Sequence, residues 1–305
     1  MLPIRGGPAR WRSAWIRSNS SALGANESPA PIAERKRILG DGGESISETV
    51  PGGLLGDFET RLWLPRLSEG QWGGWSLRIG PPCPARGYWG GLYRLGGMTM
   101  LMGPHEAGGA AWMSIVPMEI ESQEIGIASA HGHTVVLGLG MGWCAANVAL
   151  NPAVDRVTIV ERDVDLVALI EQLDVFGQLP AAARDKIELV IDDALAWRPD
   201  APVDSLQADI WAKFVEPGKW DDVNRMQQNI GARSIYFWGQ ELELWRLACR
   251  DRGRVPERLE EGELAALVAR TGLPLAIDAR EDYSSRIGEA ARWWTPREEE
   301  WWDRL

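Results

Sequence analysis

Cysteine and histidine are scarce in this sequence, with three of each among 305 residues. The cysteines, Cys83, Cys144 and Cys249, are odd in number, lie far apart and form no Cys-x-x-Cys pair. A disulfide framework needs an even set of cysteines, and a structural zinc site needs cysteine or histidine ligands in close pairs. The sequence therefore favours neither, and we expect no metal ion.

Long apolar runs and an excess of basic residues are also missing. No segment reaches the roughly 18 consecutive apolar residues of a membrane-spanning helix, and no compact apolar segment follows the basic start as in a secretory signal. The 32 Lys and Arg residues are outnumbered by 43 Asp and Glu, which gives a net charge of −11. Such a protein lacks the positive surface that neutralises nucleic-acid phosphates. We expect a soluble, cytoplasmic protein that acts on neither membranes nor nucleic acids.

Composition divides the chain into four segments. Residues 1–50 are rich in Gly, Pro, Ser and Arg without a sustained apolar period, so we expect them to be disordered or loosely attached. Residues 51–130 place short candidate strands between Gly-rich turns, which indicates a small β-hairpin unit followed by a helix over 114–130. Residues 251–305 predict a helical, Trp-rich extension. Its acidic, Trp-rich end has two interpretations: a helix packed on the body of the protein, or a lid or homodimer contact.

The segment 131–250 alternates short apolar runs with helical patterns. The predicted strands are 134–137, 157–160, 187–191, 205–208 and 234–237, and the predicted helices are 143–150, 165–173, 220–230 and 240–249. This alternation is typical of an α/β fold with a Rossmann-like, doubly wound parallel sheet.

The first strand of this segment runs into Gly138-Leu139-Gly140-Met141-Gly142 and then directly into a helix. Glycines at such a turn let a ligand approach the main chain, and the start of the helix offers unpaired N–H groups. His131 and His133 precede the same strand, so we expect them at the opposite edge of the sheet. His105 could reach the turn only if the N-terminal unit covers the sheet.

Acidic residues follow the next three strands. Glu161 ends the second strand, Asp192-Asp193-Ala194 follows the third, and Asp209 follows the fourth. The carboxyl ends of parallel strands meet at one edge of an open α/β sheet, where ligands bind. An acid after the second strand can accept ribose hydroxyls there.

These residues resemble the class I S-adenosylmethionine (SAM)-dependent methyltransferases. The resemblance covers about residues 131–250, and it implies SAM as the cofactor, held by Gly138, Gly140, Gly142, Glu161, Asp193 and Ala194. Within that superfamily, the β-hairpin unit and Asp209 are similar to spermidine synthases. That pattern has carboxylates where this chain has Met141 and Ala212, which puts polyamine synthesis in doubt.

The predicted activity is methyl transfer to a small-molecule acceptor. We expect Asp209 to take the proton of the acceptor, and Trp211 and Trp112 to form aromatic walls around a neutral acceptor. Aminopropyl transfer and a non-catalytic SAM-binding role are the alternatives. A nicotinamide dehydrogenase is disfavoured, because its fingerprint has a third glycine where this chain has Trp143.

Overall fold

The computed structural model describes residues 9–11, 36–37, 56–104, 111–280, 282–297 and 301–303. Of the segment 1–50, which was expected to be disordered, only two short strands belong to these residues, and His105 lies outside them. Within the described part of the chain, no helix is both long and apolar enough to cross a membrane.

The described residues include fifteen strands and eight α-helices. The strands are β1 (Ala9–Trp11), β2 (Lys36–Arg37), β3 (Gly56–Asp57), β4 (Glu59–Thr60), β5 (Gly70–Trp72), β6 (Trp75–Gly80), β7 (Cys83–Arg86), β8 (Leu92–Leu95), β9 (Met98–Met102), β10 (Ala111–Ile115), β11 (Gly132–Leu137), β12 (Val154–Glu161), β13 (Ile187–Ile191), β14 (Ser205–Ala208) and β15 (Ser234–Phe237). The helices are α1 (Pro117–Ser129), α2 (Trp143–Leu150), α3 (Val164–Gln172), α4 (Ala181–Arg184), α5 (Lys219–Ile230), α6 (Gln240–Arg252), α7 (Glu261–Thr271) and α8 (Tyr283–Trp294). Short 3₁₀ helices lie at Phe176–Gln178 and Trp301–Asp303.

The central sheet has six strands in the order β1-β13-β12-β11-β14-β15. The last five run parallel, and β1 joins the edge antiparallel to β13. The sequence did not predict this added edge strand. Because β11 pairs with β12 on one side and with β14 on the other, the strand order reverses at β11, which is the switch point of the sheet.

Helices cover both faces of this sheet. Successive residues of a strand point to opposite faces, and the residues of β11 follow that rule. Val136 packs in the apolar cluster that contains residues of α2 and α3, whereas Val135 and Leu137 pack in the cluster that contains residues of α5. The fold is therefore the Rossmann-like, doubly wound α/β fold that the sequence predicted.

The N-terminal unit forms further small sheets, of which the largest has the order β10-β9-β6-β5. Strand β10 pairs antiparallel with β9 and includes Ser114 and Ile115, which the sequence predicted as the start of a helix. That helix, α1, begins only at Pro117. A proline has no N–H to donate and its φ angle suits a first helical position, so it marks the start of α1.

Four side chains tie the N-terminal unit, the sheet and the C-terminal helices together. The carboxylate of Glu241, in α6, accepts hydrogen bonds from the hydroxyls of Tyr88, Tyr236 and Tyr283 at 2.8 to 3.3 Å. At the end of the chain, Trp301 and Trp302 are buried in the same apolar cluster as residues of α6 and α8. Of the two interpretations of this acidic, aromatic end, the structure supports packing on the body.

Candidate functional site

A cleft lies at the carboxyl edge of the sheet, directly beside the switch point. Its empty space amounts to about 1050 Å³, counting the part open to solvent. Eight of the nine predicted site residues line it, namely Gly138, Gly140, Glu161, Asp193, Ala194, Asp209, Trp211 and Trp112. Seven of the eight lie at the carboxyl ends of β11 to β14, which meet at one edge of the sheet, whereas Trp112 comes from β10 of the N-terminal unit.

The glycine turn has the geometry that its sequence suggested. Gly138 has a φ of +94°, and a Cβ at this position would lie 2.1 Å from the backbone oxygen of Asp209. Only glycine therefore lets β11 approach the end of β14 this closely. Gly142, the ninth predicted residue, does not line the cleft. It is the N-cap of α2, with a φ of +75°, and it faces the apolar side chain of Phe176.

Glu161 is bound to the protein more extensively than the sequence suggested. Its Oε2 accepts a hydrogen bond from the backbone N–H of Leu139 at 3.0 Å. Its Oε1 accepts from the N–H groups of Arg162 and Asp163, both at 2.8 Å. A carboxylate has about four lone-pair positions, so Glu161 fixes the glycine turn and still has an acceptor position for a ligand.

Asp193 and Ala194 lie at the end of β13, on the side of the cleft beyond Glu161. The carboxylate of Asp193 is exposed and accepts from the N–H of Leu195 at 2.9 Å, which shapes the turn after the strand. Ala194 is buried, and Asp192 also lines the cleft. This end of the site therefore offers acceptors that remain hydrated.

Asp209 lies at the inner end of the cleft. Its Oδ2 accepts a hydrogen bond of 2.6 Å from Nε2 of Gln123, in α1. Burial raises the pKa of Asp209 to about 7, against the opposing effects of the Lys219 charge and of this hydrogen bond. A carboxyl group with such a pKa can exchange a proton near neutral pH, as a general base must.

A second acid, Glu119, lies beside Asp209 and was missed by the sequence analysis. Glu119 is only 4% exposed and lines the cleft, and its carboxylate accepts no hydrogen bond from the described residues. Burial, followed by the repulsion from Asp209, raises its pKa well above the usual value. Glu119 and Gln123 are one turn apart in α1 and so share a face. The sequence did not show which face of α1 meets the sheet.

Tryptophans form much of the remaining wall. Trp112 is 36% exposed and packs edge-on against Trp75, while Trp211 is buried and donates from Nε1 to Asp222. The structure adds Trp143 and Trp238, which the sequence analysis did not assign to the site. The organic body of a ligand in this cleft therefore meets mainly aromatic surface.

Comparisons with known proteins find similar structures but no similar sequence family. No protein-family model and no curated protein matches this chain. The crystal structure of the glycopeptide N-methyltransferase MtfA complexed with S-adenosyl-L-homocysteine (SAH) is similar at 18% identity over 36% of this chain and 43% of its own, with a TM-score of 0.30. The 23S rRNA methyltransferase ErmE matches at 16% identity over 36% of this chain and 41% of its own, with a TM-score of 0.27. The DhpI–SAM–HEP complex matches at 15% identity over 52% of this chain and 80% of its own, with a TM-score of 0.33. The chain thus spans less than half the length of the first of these structures.

Proposed function

We propose that this protein binds SAM in the cleft and transfers the methyl group to a small-molecule acceptor. One observation carries the proposal. The glycine turn, the acid that ends the second strand of the parallel sheet and the acid that follows the third all line a single cleft at the switch point. In an open α/β sheet this is the edge at which ligands bind.

Each part of the donor has a candidate partner. We assign the remaining acceptor position of Glu161 to a ribose hydroxyl, and Asp193 and Ala194 to contact with the adenine. The glycine turn, whose φ angles at Gly138 and Gly140 are positive, brings main chain rather than side chains to the middle of the cleft. A donor bound in this way would direct its methyl group toward Asp209.

The chemistry requires little beyond positioning. Methyl transfer from a sulfonium proceeds when the acceptor atom is aligned behind the methyl carbon and water is excluded. The tryptophan walls supply that exclusion. Asp209 then takes the proton of the acceptor, a contribution of typically about 10² to 10⁴ in rate.

Aminopropyl transfer is the first alternative to test. Met141 is fully buried and Ala212 is exposed, and neither lines the cleft. Two positions that would carry carboxylates in that pattern therefore place no charge near the ligand. We expect putrescine and decarboxylated SAM to give no methylthioadenosine.

Calorimetric titration with SAM, SAH, decarboxylated SAM, methylthioadenosine and NAD tests the binding proposal. SAM and SAH should bind and raise the melting temperature, because a ligand that binds only the native state stabilises it. Binding of NAD without binding of adenosyl compounds would refute the proposal, and binding of SAM without transfer to any acceptor would favour a non-catalytic role.

The acceptor class needs its own assay. Radiolabelled SAM should transfer label to small molecules and not to purified RNA, as the net charge of −11 suggests. Label in RNA would overturn the proposal that the acceptor is a small molecule. A cytoplasmic location and a homodimer stay predictions from the sequence.

A further inference from the structure

The inner end of the cleft is rich in hydrogen-bond acceptors that have no donor. Glu119 is one of them. Oε1 of Gln207 is another, since this side chain is 4% exposed and only its Nε2 is engaged, with the carbonyl of Gly126 at 2.7 Å. Gln207 precedes Asp209 by two residues along β14, which places both side chains on one face of the strand. Glu119, Gln207 and Asp209 all line the cleft.

Lys219, whose charge acts on Asp209, does not supply the missing donors. Lys219 is fully buried, and its three N–H bonds go to the carbonyls of Lys213, Phe214 and Trp238 at 2.9 to 3.0 Å. An ammonium group has no further donor, so Lys219 acts on Asp209 only through its charge. The N-terminus of α1 favours an acid at position 119, yet no described backbone N–H donates to the carboxylate of Glu119.

Buried acceptors without donors cost free energy, and two neighbouring acids cost more. A ligand that brings both hydrogen-bond donors and positive charge would stabilise these acceptors most. An ammonium group does so, whereas a hydroxyl group brings one donor and no charge. The walls that surround the cluster, Trp112, Trp211 and Trp238, suit an aromatic or apolar body on the same molecule.

We infer that the methyl acceptor is an amine on an aromatic or apolar body, with its nitrogen held between Glu119 and Asp209. This inference rests on the proposed function and replaces the neutral acceptor that the sequence suggested. A single amino group is indicated, because the positions of Met141 and Ala212 offer no second anionic partner.

The transfer step needs no group other than these residues and the methyl donor. The bound ammonium group loses one proton to Asp209, which leaves a lone pair on the nitrogen. That lone pair forms a bond to the methyl carbon as the bond between this carbon and the sulfonium sulfur breaks, and the electron pair of the broken bond stays on sulfur. The products are the methylated ammonium and SAH, and Asp209 passes its proton to solvent.

Matched pairs of amine and alcohol test the inference on the wild-type protein saturated with SAH. The pairs are phenethylamine with 2-phenylethanol and tryptamine with tryptophol, which share a body and differ in charge. In at least one pair the amine should bind about tenfold or more tightly, as expected for charge-assisted hydrogen bonds. Titrations in two buffers of different ionisation heat should show proton release for the amine only.

Two glutamates of α1 provide the variant and its control. Glu119→Gln should abolish the preference for the amine, while Glu124→Gln, which removes the same charge from the same helix outside the cleft, should retain it. Equal binding of amine and alcohol in every pair, with SAH bound, would overturn the inference and leave the proposed function standing. Absence of SAH binding would instead refute the proposed function. If Glu119→Gln fails to fold, the comparison of amine and alcohol binding to the wild-type protein still tests the inference.

Discussion

Glu161 has two roles that one substitution can separate. In Glu161→Gln the side chain keeps its size but loses its charge and half of its acceptor capacity. The amide oxygen can still accept from the N–H groups of Arg162 and Asp163, while the amide nitrogen then faces the N–H of Leu139, which loses its partner. We expect the free energy of unfolding to fall by about 1 kcal/mol for this lost bond.

The effect on ligand affinity should be larger than the effect on folding. A ribose hydroxyl that donates to a carboxylate contributes about 1.5 to 3 kcal/mol. The amide oxygen of the variant has two lone pairs, both already used by the N–H groups of Arg162 and Asp163, so it has no acceptor position left for the hydroxyl. The dissociation constant for SAH should therefore rise about 10- to 100-fold. Calorimetric titration with SAH, together with urea unfolding of the ligand-free protein, measures both quantities.

Asp163→Asn is the matched control. Asp163 lies two residues further on, does not line the cleft, and caps α3 by accepting from the N–H groups of Asp165 and Leu166. Asparagine caps a helix about as well as aspartate, so the control should keep its cap. It should lose about 1 kcal/mol of stability, because Nε1 of Trp75, which donates to Oδ2 of Asp163 at 2.8 Å, then faces an amide N–H group, and it should bind SAH normally. If Glu161→Gln binds SAH as tightly as the wild type, Glu161 serves only to fix the glycine turn, and its assignment to the ribose is wrong.

The remaining predictions concern the inner end of the cleft, the turn and the core. Asp209→Asn should slow transfer about 10²- to 10⁴-fold and leave the affinity for SAH unchanged. The activity of the wild type should rise with pH as Asp209 loses its proton near pH 7, and the activity of the variant should not show that rise. Gly138→Ala should destabilise the protein by about 3 kcal/mol or more, measured by urea unfolding, because its Cβ would meet the backbone oxygen of Asp209. Tyr283→Phe should cost about 1 to 2 kcal/mol in the same assay, because Glu241 loses a buried donor; an unchanged midpoint would show that the cluster contributes no stability.

The sequence predicted the sheet well because apolar runs bounded by turn residues define short buried strands. β13, β14 and β15 have the predicted bounds, as does α2. Errors occur where a local pattern is ambiguous. Ser114 and Ile115, at the end of strand β10, were predicted as the start of α1, because two residues beside a helical pattern fit a strand end or a first helical turn equally well.

The site residues that follow the strands could be predicted, and those that α1 contributes could not. Residues such as Glu161 and Asp209 follow their strands directly, so the strand order alone brings them to one edge. Glu119 and Gln123 reach the same place from α1, through the packing of a helix whose orientation no local pattern specifies. Gln207 was within reach, because it precedes Asp209 by two residues on a predicted strand.

The acids of the cleft differ in environment, and this difference argues for different partners. Glu161 and Asp193 are partly or fully exposed and are already bonded to backbone N–H groups, so their charge is stabilised before any ligand arrives. They suit neutral donors such as hydroxyls, which need an acceptor and no compensating charge. Glu119 has no donor and is nearly inaccessible to water, so ionising it without a cation is costly. Replacing such an acid by an apolar side chain would stabilise the empty protein, and its presence is accounted for when the ligand supplies the positive charge.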